Sequence, residues 1–138
     1  MKRIILAIAA CAAMASCAPK SEVALFPVSD FETTVDGQNV SIYTLKAGDL
    51  VMQVTNFGGR VVALWTPDKD DRYEDIVLGY NNINDYVNNP GERFLGAVVG
   101  PYANRIAGGT YTIGEETYNF PQNNNGQTLH GGLKGLDM

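Results

Sequence analysis

Beyond position 17 the sequence has no cysteine: both of its cysteines, Cys11 and Cys17, stand near the amino terminus. The remainder can therefore close no internal disulfide and offers no thiolate as ligand or nucleophile. Histidine is scarcer still, with one, His130, in 138 residues. No His/Cys set with metal-ligand spacing can be drawn, so a metal cofactor is not expected. Basic residues are few, 10 Lys and Arg against 15 Asp and Glu. That acidic balance disfavours phosphate backbones, and nucleic acid is not an expected partner. There is no Gly-rich phosphate loop and no Gly-x-Ser-x-Gly elbow. After the first sixteen residues no apolar run is long enough to span a bilayer, and no long 3.6-residue period appears.

What the amino terminus does have is a leader pattern. Lys2 and Arg3 precede an apolar run from Ile4 to Met14, then Ala15, Ser16 and Cys17. The run is short for a membrane span and suits an export signal. Small residues ending in cysteine resemble a bacterial lipoprotein signal. The expectation is a signal over 1–16, lipidation at Cys17, a tether over 17–22, and a domain over 23–138. Ala18 is not the aspartate associated with inner-membrane retention, so an outer-membrane lipoprotein facing the periplasm is expected. An ordinary secretory signal is the plainer alternative. Loss of Lys2 and Arg3 with the leader makes the rest more acidic.

Glycine is plentiful, with 15, and short alternating segments recur at roughly ten-residue spacing. Strands are expected over 40–45, 50–55, 60–66 and 75–80, with turns at 46–49, 56–59 and 67–71. Residues 81–93 are polar and read as a loop with one helical turn at 83–87. The apolar run 94–100 suits a strand buried on both faces. Tyr111-Thr112-Ile113 and Thr117 to Phe120 form a hairpin, with Tyr111 and Ile113 on one face and Tyr118 and Phe120 likewise sharing one. The pattern is that of an all-β sandwich or barrel with no internal linker.

Two polar islands carry the chemistry. One is Gly100-Pro101-Tyr102-Ala103-Asn104-Arg105-Ile106; the other is Asn123-Asn124-Asn125-Gly126-Gln127-Thr128-Leu129-His130-Gly131-Gly132. Imidazole suits proton transfer near neutral pH, and the glycines let a ligand or a strand approach the backbone. A hydrogen-bonded structural histidine is the bland alternative. Arg105 offers a rigid fork of donors to sugar hydroxyls, or else a surface salt bridge. Asn123 to Gly126 is a turn or a polar binding loop. Asp68-Lys69-Asp70-Asp71 could suggest calcium, but an EF-hand needs Gly and Glu where Tyr73 and Gly79 stand, so a solvated turn is expected.

Together these segments resemble the amino-terminal part of the aldose 1-epimerase family, also called galactose mutarotases. The resemblance is collinear from about Asp49 to Asp137. It rests on NFGGRVVALWTPDKDDRYEDIVLGY, FLGAVVGPYANRIAGGTYTIGEETYNFPQNNNGQTLHGG and LKGLD. It implies a β-sandwich of twisted antiparallel sheets. It implies cofactor-free exchange of α and β anomers of free aldohexoses such as glucose or galactose, by acid–base ring opening and closure. It matches His130 to a histidine acting near the ring oxygen and C1, and Asn104 and Arg105 to sugar-binding residues. Pro101 stands where many members carry a charged or polar residue. The resemblance also puts the second histidine, a substrate-binding aspartate and the glutamate base after Met138. The expectation is an incomplete amino-terminal portion, whether a fragment or a truncated gene product. It would be inactive by itself, with Val61, Leu64, Trp65, Val98 and Val99 partly uncovered. A non-catalytic carbohydrate-binding lipoprotein on the same scaffold is the alternative. An epimerase of phosphorylated hexose would want more basic residues and a cytoplasmic address.

Overall fold

The structure is a computed structural model and describes residues 22–88 and 91–138. The leader 1–16, Cys17 and all but Glu22 of the tether lie outside the described residues. Among the described residues, besides two 3₁₀ turns at Val28–Asp30 and Ala107–Gly109, ten short strands and one short α-helix follow in order: β1 (Thr33–Val35), β2 (Gln38–Val40), β3 (Ile42–Ala47), β4 (Leu50–Thr55), β5 (Arg60–Pro67), β6 (Tyr73–Asp75), α1 (Ile83–Asn88), β7 (Arg105–Ile106), β8 (Thr110–Ile113), β9 (Glu116–Asn119) and β10 (Thr128–Leu129). Every named pairing is antiparallel. The largest sheet runs β3-β4-β5-β6, and the other strands pair as β1-β2, β7-β10 and β8-β9. The mostly-β, antiparallel expectation stands.

The four-stranded sheet follows its alternation. Along β4 the buried residues are Val51, Gln53 and Thr55. Along β5 the alternation is interrupted where the register shifts at Gln53/Val54: Val62 and Ala63 are both buried, while Val61 and Leu64 are half-buried. Val62 packs with Phe31, Val40, Ile42, Phe57, Ile83 and Tyr86. Ala63 and Trp65 pack with Val51, and Val23, Phe26 and Tyr73 lie against them. Trp65 is only 5% exposed, against the expectation that it stays partly uncovered. Phe26 covers it, with ring centroids 5.9 Å apart. Buried Gln53 holds Phe26 there: its Oε1 accepts from Phe26 N at 2.9 Å and its Nε2 donates to Phe26 O at 3.1 Å.

Three strand expectations need correction. The segment 40–45 is split, since β2 ends at Val40 and β3 starts at Ile42. β2 pairs with β1 across Asp36-Gly37, both at positive φ (48° and 78°), as a tight two-residue hairpin requires. The strand expected over 75–80 ends at Asp75. The Asp75 carboxylate accepts from Leu64 N at 2.9 Å and from Val77 N at 3.0 Å. A side chain thus takes the place of the next ladder carbonyl, and Leu78 is left 79% exposed. The run 94–100 is no strand at all. Gly96 adopts φ 65° and Ala97 N bonds back to Phe94 O, so the chain turns. Single bonds from Val61 N to Gly96 O and from Val98 N to Gly58 O replace a ladder, and Val98 is 52% exposed. Apolar composition alone cannot separate such a turn from a buried strand.

The remaining punctuation is as expected. Asp68 closes the β5–β6 turn by accepting from Asp70 N at 2.7 Å and Arg72 N at 3.0 Å. In the β8–β9 hairpin Tyr111 stacks on Tyr118 and Phe120, at 5.4 and 5.3 Å.

Candidate functional site

The two polar islands meet. β7 and β10 pair with Arg105 opposite Leu129 and Ile106 opposite Thr128. One step beyond that ladder, His130 N donates to Asn104 O at 3.0 Å. Asn104 N in turn donates to Nδ1 of the His130 ring at 3.0 Å. An N–H donor facing Nδ1 makes that nitrogen an acceptor, so the neutral ring carries its hydrogen on Nε2. Among the described residues none hydrogen-bonds Nε2. The imidazole is half-buried and presents a single defined donor.

Backbone conformation is unusual at these positions. Asn104 and His130 both have positive φ, 66° and 51°, and His130 is followed by Gly131 and Gly132 at 89° and 84°. Asparagine and histidine enter that region more readily than most residues, but for any residue with a Cβ it carries a cost that the surrounding turn must offset. Gly131 is also obligatory by space, because a Cβ there would lie 1.9 Å from Gly100 O.

The Asn-rich segment is a turn with a purpose. Asn125 and Gly126 are both at positive φ, and Asn124 and Gln127 bridge around them. Asn123 faces inward: its Oδ1 accepts from Leu129 N at 2.7 Å, and its Nδ2 donates to Leu129 O and Gly132 O at 2.9 and 3.1 Å. Asn124 faces outward, and its Oδ1 accepts from Nη1 of Arg105. Arg105 is exposed, with a carboxamide rather than a carboxylate as partner. Beside it lies an open depression of about 460 Å³ lined by Tyr102, Arg105, Ile106, Thr110 and Tyr111. A slightly larger hollow, about 490 Å³, lies between β2 and Lys134 and includes none of Asn104, Arg105 or His130. Size does not mark the site here; the convergence of the two islands does.

Sequence reasoning missed the group that secures this turn. Arg93 donates from Nε to Asp137 Oδ2 at 2.7 Å and from Nη2 to Oδ1 at 3.0 Å. It also reaches Gly132 O at 3.3 Å and Leu133 O at 3.2 Å. Arg60, 1% exposed, donates to Arg93 O, Leu95 O and Asp137 O at 2.8, 2.9 and 2.8 Å. Its Nη2 lies 3.7 Å from Asp137 Oδ2, and Phe57 and Tyr86 flank the guanidinium. Burial pulls the Arg60 pKa down, and the Asp137 charge opposes that shift. Its Nε finds no partner among the described residues. The only signal in the sequence was a charged residue bordering each apolar run, which is too common to single out.

With this geometry in view, comparisons with known proteins are specific. The aldose 1-epimerase family model matches residues 41–137. A protein of Arthroderma benhamiae named "Probable aldose 1-epimerase" is 38% identical over 103 residues, covering 72% of this chain and 23% of that one. The galactose mutarotase of Mus musculus is 36% identical over 101 residues, covering 73% and 29%. Among solved structures, the GalM/aldose epimerase homologue from C. elegans superposes with a TM-score of 0.65 at 29% identity, covering 71% of this chain and 30% of that one. The galactose 1-epimerase of Lactobacillus acidophilus gives 0.63 at 28% identity, covering 78% and 30%. The chain thus spans under a third of the length of the relatives it matches.

Proposed function

The chain belongs to the aldose 1-epimerase family, and from that premise we propose that the protein interconverts the α and β anomers of a free aldohexose such as glucose or galactose. The reaction removes a proton from the C1 hydroxyl and delivers one to the ring oxygen. The C1–O bond of the ring breaks, the C1–C2 bond rotates, and the ring closes from the other face. A base and an acid suffice, with no cofactor.

The observation that carries this reading is the bond from Asn104 N to His130 Nδ1. It leaves Nε2–H as a fixed donor suited to the sugar's ring oxygen, where negative charge develops as the ring opens. Asn104 and Arg105 bind sugar hydroxyls beside it, Arg105 being aimed by Asn124. A carbohydrate-binding protein on the same scaffold would use the same hydroxyl contacts but would need no defined donor at the reacting centre.

Polarimetry of freshly dissolved α-glucose or α-galactose with the full-length protein, which carries the expected base, tests the assignment. Arg105→Ala should chiefly raise KM, and His130→Ala should chiefly lower kcat. Wild-type rates in His130→Ala would reduce His130 to a structural residue. We also propose that the protein is exported and held by a lipid at Cys17, on the periplasmic side of the outer membrane. Two or more acyl chains anchor stably, at about 0.8 kcal/mol per buried CH₂. Cys17→Ser should then release the protein from the detergent phase or leave the precursor uncleaved; a processed protein with unchanged partition would sink the anchor.

A further inference from the structure

The geometry points to Arg93 as a positioning residue for His130, one that fixes which nitrogen of the imidazole carries the hydrogen. This inference rests on the proposed role of His130 but is tested apart from it. His130 holds a left-handed backbone conformation, which carries a cost for any residue with a Cβ and is kept in place by the contacts of its turn. Two routes lead from Arg93 to the ring. The first is through the backbone. Its guanidinium grips both oxygens of Asp137 and the carbonyls of Gly132 and Leu133, which closes the turn directly after His130. The second is through a ring. The guanidinium carbon stands 5.0 Å from the centroid of Phe94, and Phe94 meets the His130 ring edge-on at 4.7 Å and 64°. The fork of an arginine is needed for the first route, because a lysine ammonium cannot span two carboxylate oxygens and two carbonyls in one plane.

Fixing the turn fixes the imidazole. The bond from Asn104 N to Nδ1 forms only while the His130 ring stays in its present rotation. Freed from the turn and from Phe94, the ring would rotate out of that bond, and the hydrogen would divide between Nδ1 and Nε2. Arg93 touches no reacting atom in this arrangement; it acts through the turn and through Phe94.

This chain has a single histidine, so its imidazole nitrogens can be observed without overlap. The test is a long-range ¹H–¹⁵N spectrum of the ¹⁵N-histidine-labelled chain, well above the usual imidazole pKa of about 6.5. The wild type should show one tautomer, with hydrogen on Nε2 and Nδ1 as acceptor. Arg93→Gln should lose that signature and give averaged nitrogens, and Arg93→Lys should restore it only in part. Should Arg93→Gln fail to fold, Phe94→Leu leaves the Asp137 pair intact and should by itself weaken the Nδ1 signature. In the active protein Arg93→Gln should lower kcat by about tenfold or more with KM little changed, since small misplacements act on turnover. An unaltered Nε2–H signature in folded Arg93→Gln, or in Phe94→Leu where Arg93→Gln does not fold, would overturn the inference. Absence of mutarotation in the full-length wild type, with the expected glutamate base present, would instead remove the proposed function and leave the spectroscopic result standing.

Discussion

Residues 42–67 and residues 91–137 are held together by different means. The first region is a ladder: β3, β4 and β5 pair residue by residue over most of their length. The second has one two-residue pairing at β7–β10 and one hairpin at β8–β9. Elsewhere the second region is held by side chains that reach its backbone carbonyls and amides: Arg60, from the start of β5, and Arg93 to five different residues, Asn123 to Leu129 and Gly132. A ladder is a property of the backbone, and many side chains are compatible with it. The second arrangement depends on particular atoms at particular positions. It is costly to specify, but it can hold a histidine and an asparagine in conformations that no regular strand supplies.

Removing Asp137 should break this contrast most severely. Asp137→Ala would leave Arg60 buried without its carboxylate and would free Arg93. Removal of one partner from a buried ion pair typically costs about 3–5 kcal/mol. Urea unfolding should show a loss of that size; a loss under 1 kcal/mol would mean that the pair is not needed for stability.

Glycine substitutions sharpen the comparison next. Gly131→Ala places a Cβ against Gly100 O, a backbone atom that cannot step aside. A loss of about 3 kcal/mol or more is expected. Gly48, in the β3–β4 turn, also has positive φ (59°) but has nothing within 4 Å of the added atom. Gly48→Ala should carry only the conformational penalty, about 1–2 kcal/mol. Equal losses in the two variants would contradict the distinction.

A smaller effect is expected at Asn124. Asn124→Ala removes one exposed hydrogen-bond partner of Arg105 without touching the turn's backbone bonds. Weaker sugar binding by about three- to tenfold is expected, from the usual 0.5–1.5 kcal/mol for such a bond. Stability should barely change. Calorimetric titration beside a melting curve separates the two outcomes.

The smallest effect belongs to the ladder region. Backbone and side-chain hydrogen bonds from Arg72 hold the Asp68 carboxyl down to about 2. Its folded pKa lies below the unfolded value of 3.8, so its contribution is complete above pH 3.8 and fades as pH falls through about 2. The site is exposed, and the gain is screened by water and salt. A carboxyl-detected NMR titration should place its midpoint near the lower value, and Asp68→Asn should leave neutral-pH stability nearly unchanged.

The same division governs what could be read from the sequence. β4 lies where alternation put it, and β5 runs one residue past the expected segment, because a half-buried ladder prints a period of two into the chain. The turns at Asp68 and at Asn125-Gly126 were legible from side chains that favour tight bends. Asp36-Gly37 carried the same hairpin signal between two short segments and was passed over. The run 94–100 misled because Gly96 needed a left-handed conformation that apolar composition does not reveal. Asn104, Arg105 and His130 could be singled out by residue type and by family resemblance, and the fold brings their two segments side by side. Arg60 and Arg93 could not be singled out. Their partner Asp137 is 77 and 44 residues away in the chain, and no local pattern encodes such a pairing.

Trp65 is the chain's only tryptophan, and it is sealed in the ladder region beneath Phe26. Its fluorescence is therefore a local gauge rather than a global one. Emission should shift to the red when the segment around Phe26 peels away from Gln53, even if the rest of the chain stays folded. That segment begins a few residues after Cys17, so the indole sits close to the end that a lipid would hold. Pulling or crowding at that end should register first as a change of colour from Trp65, while residues 91–137, which hold no tryptophan, contribute nothing to that signal.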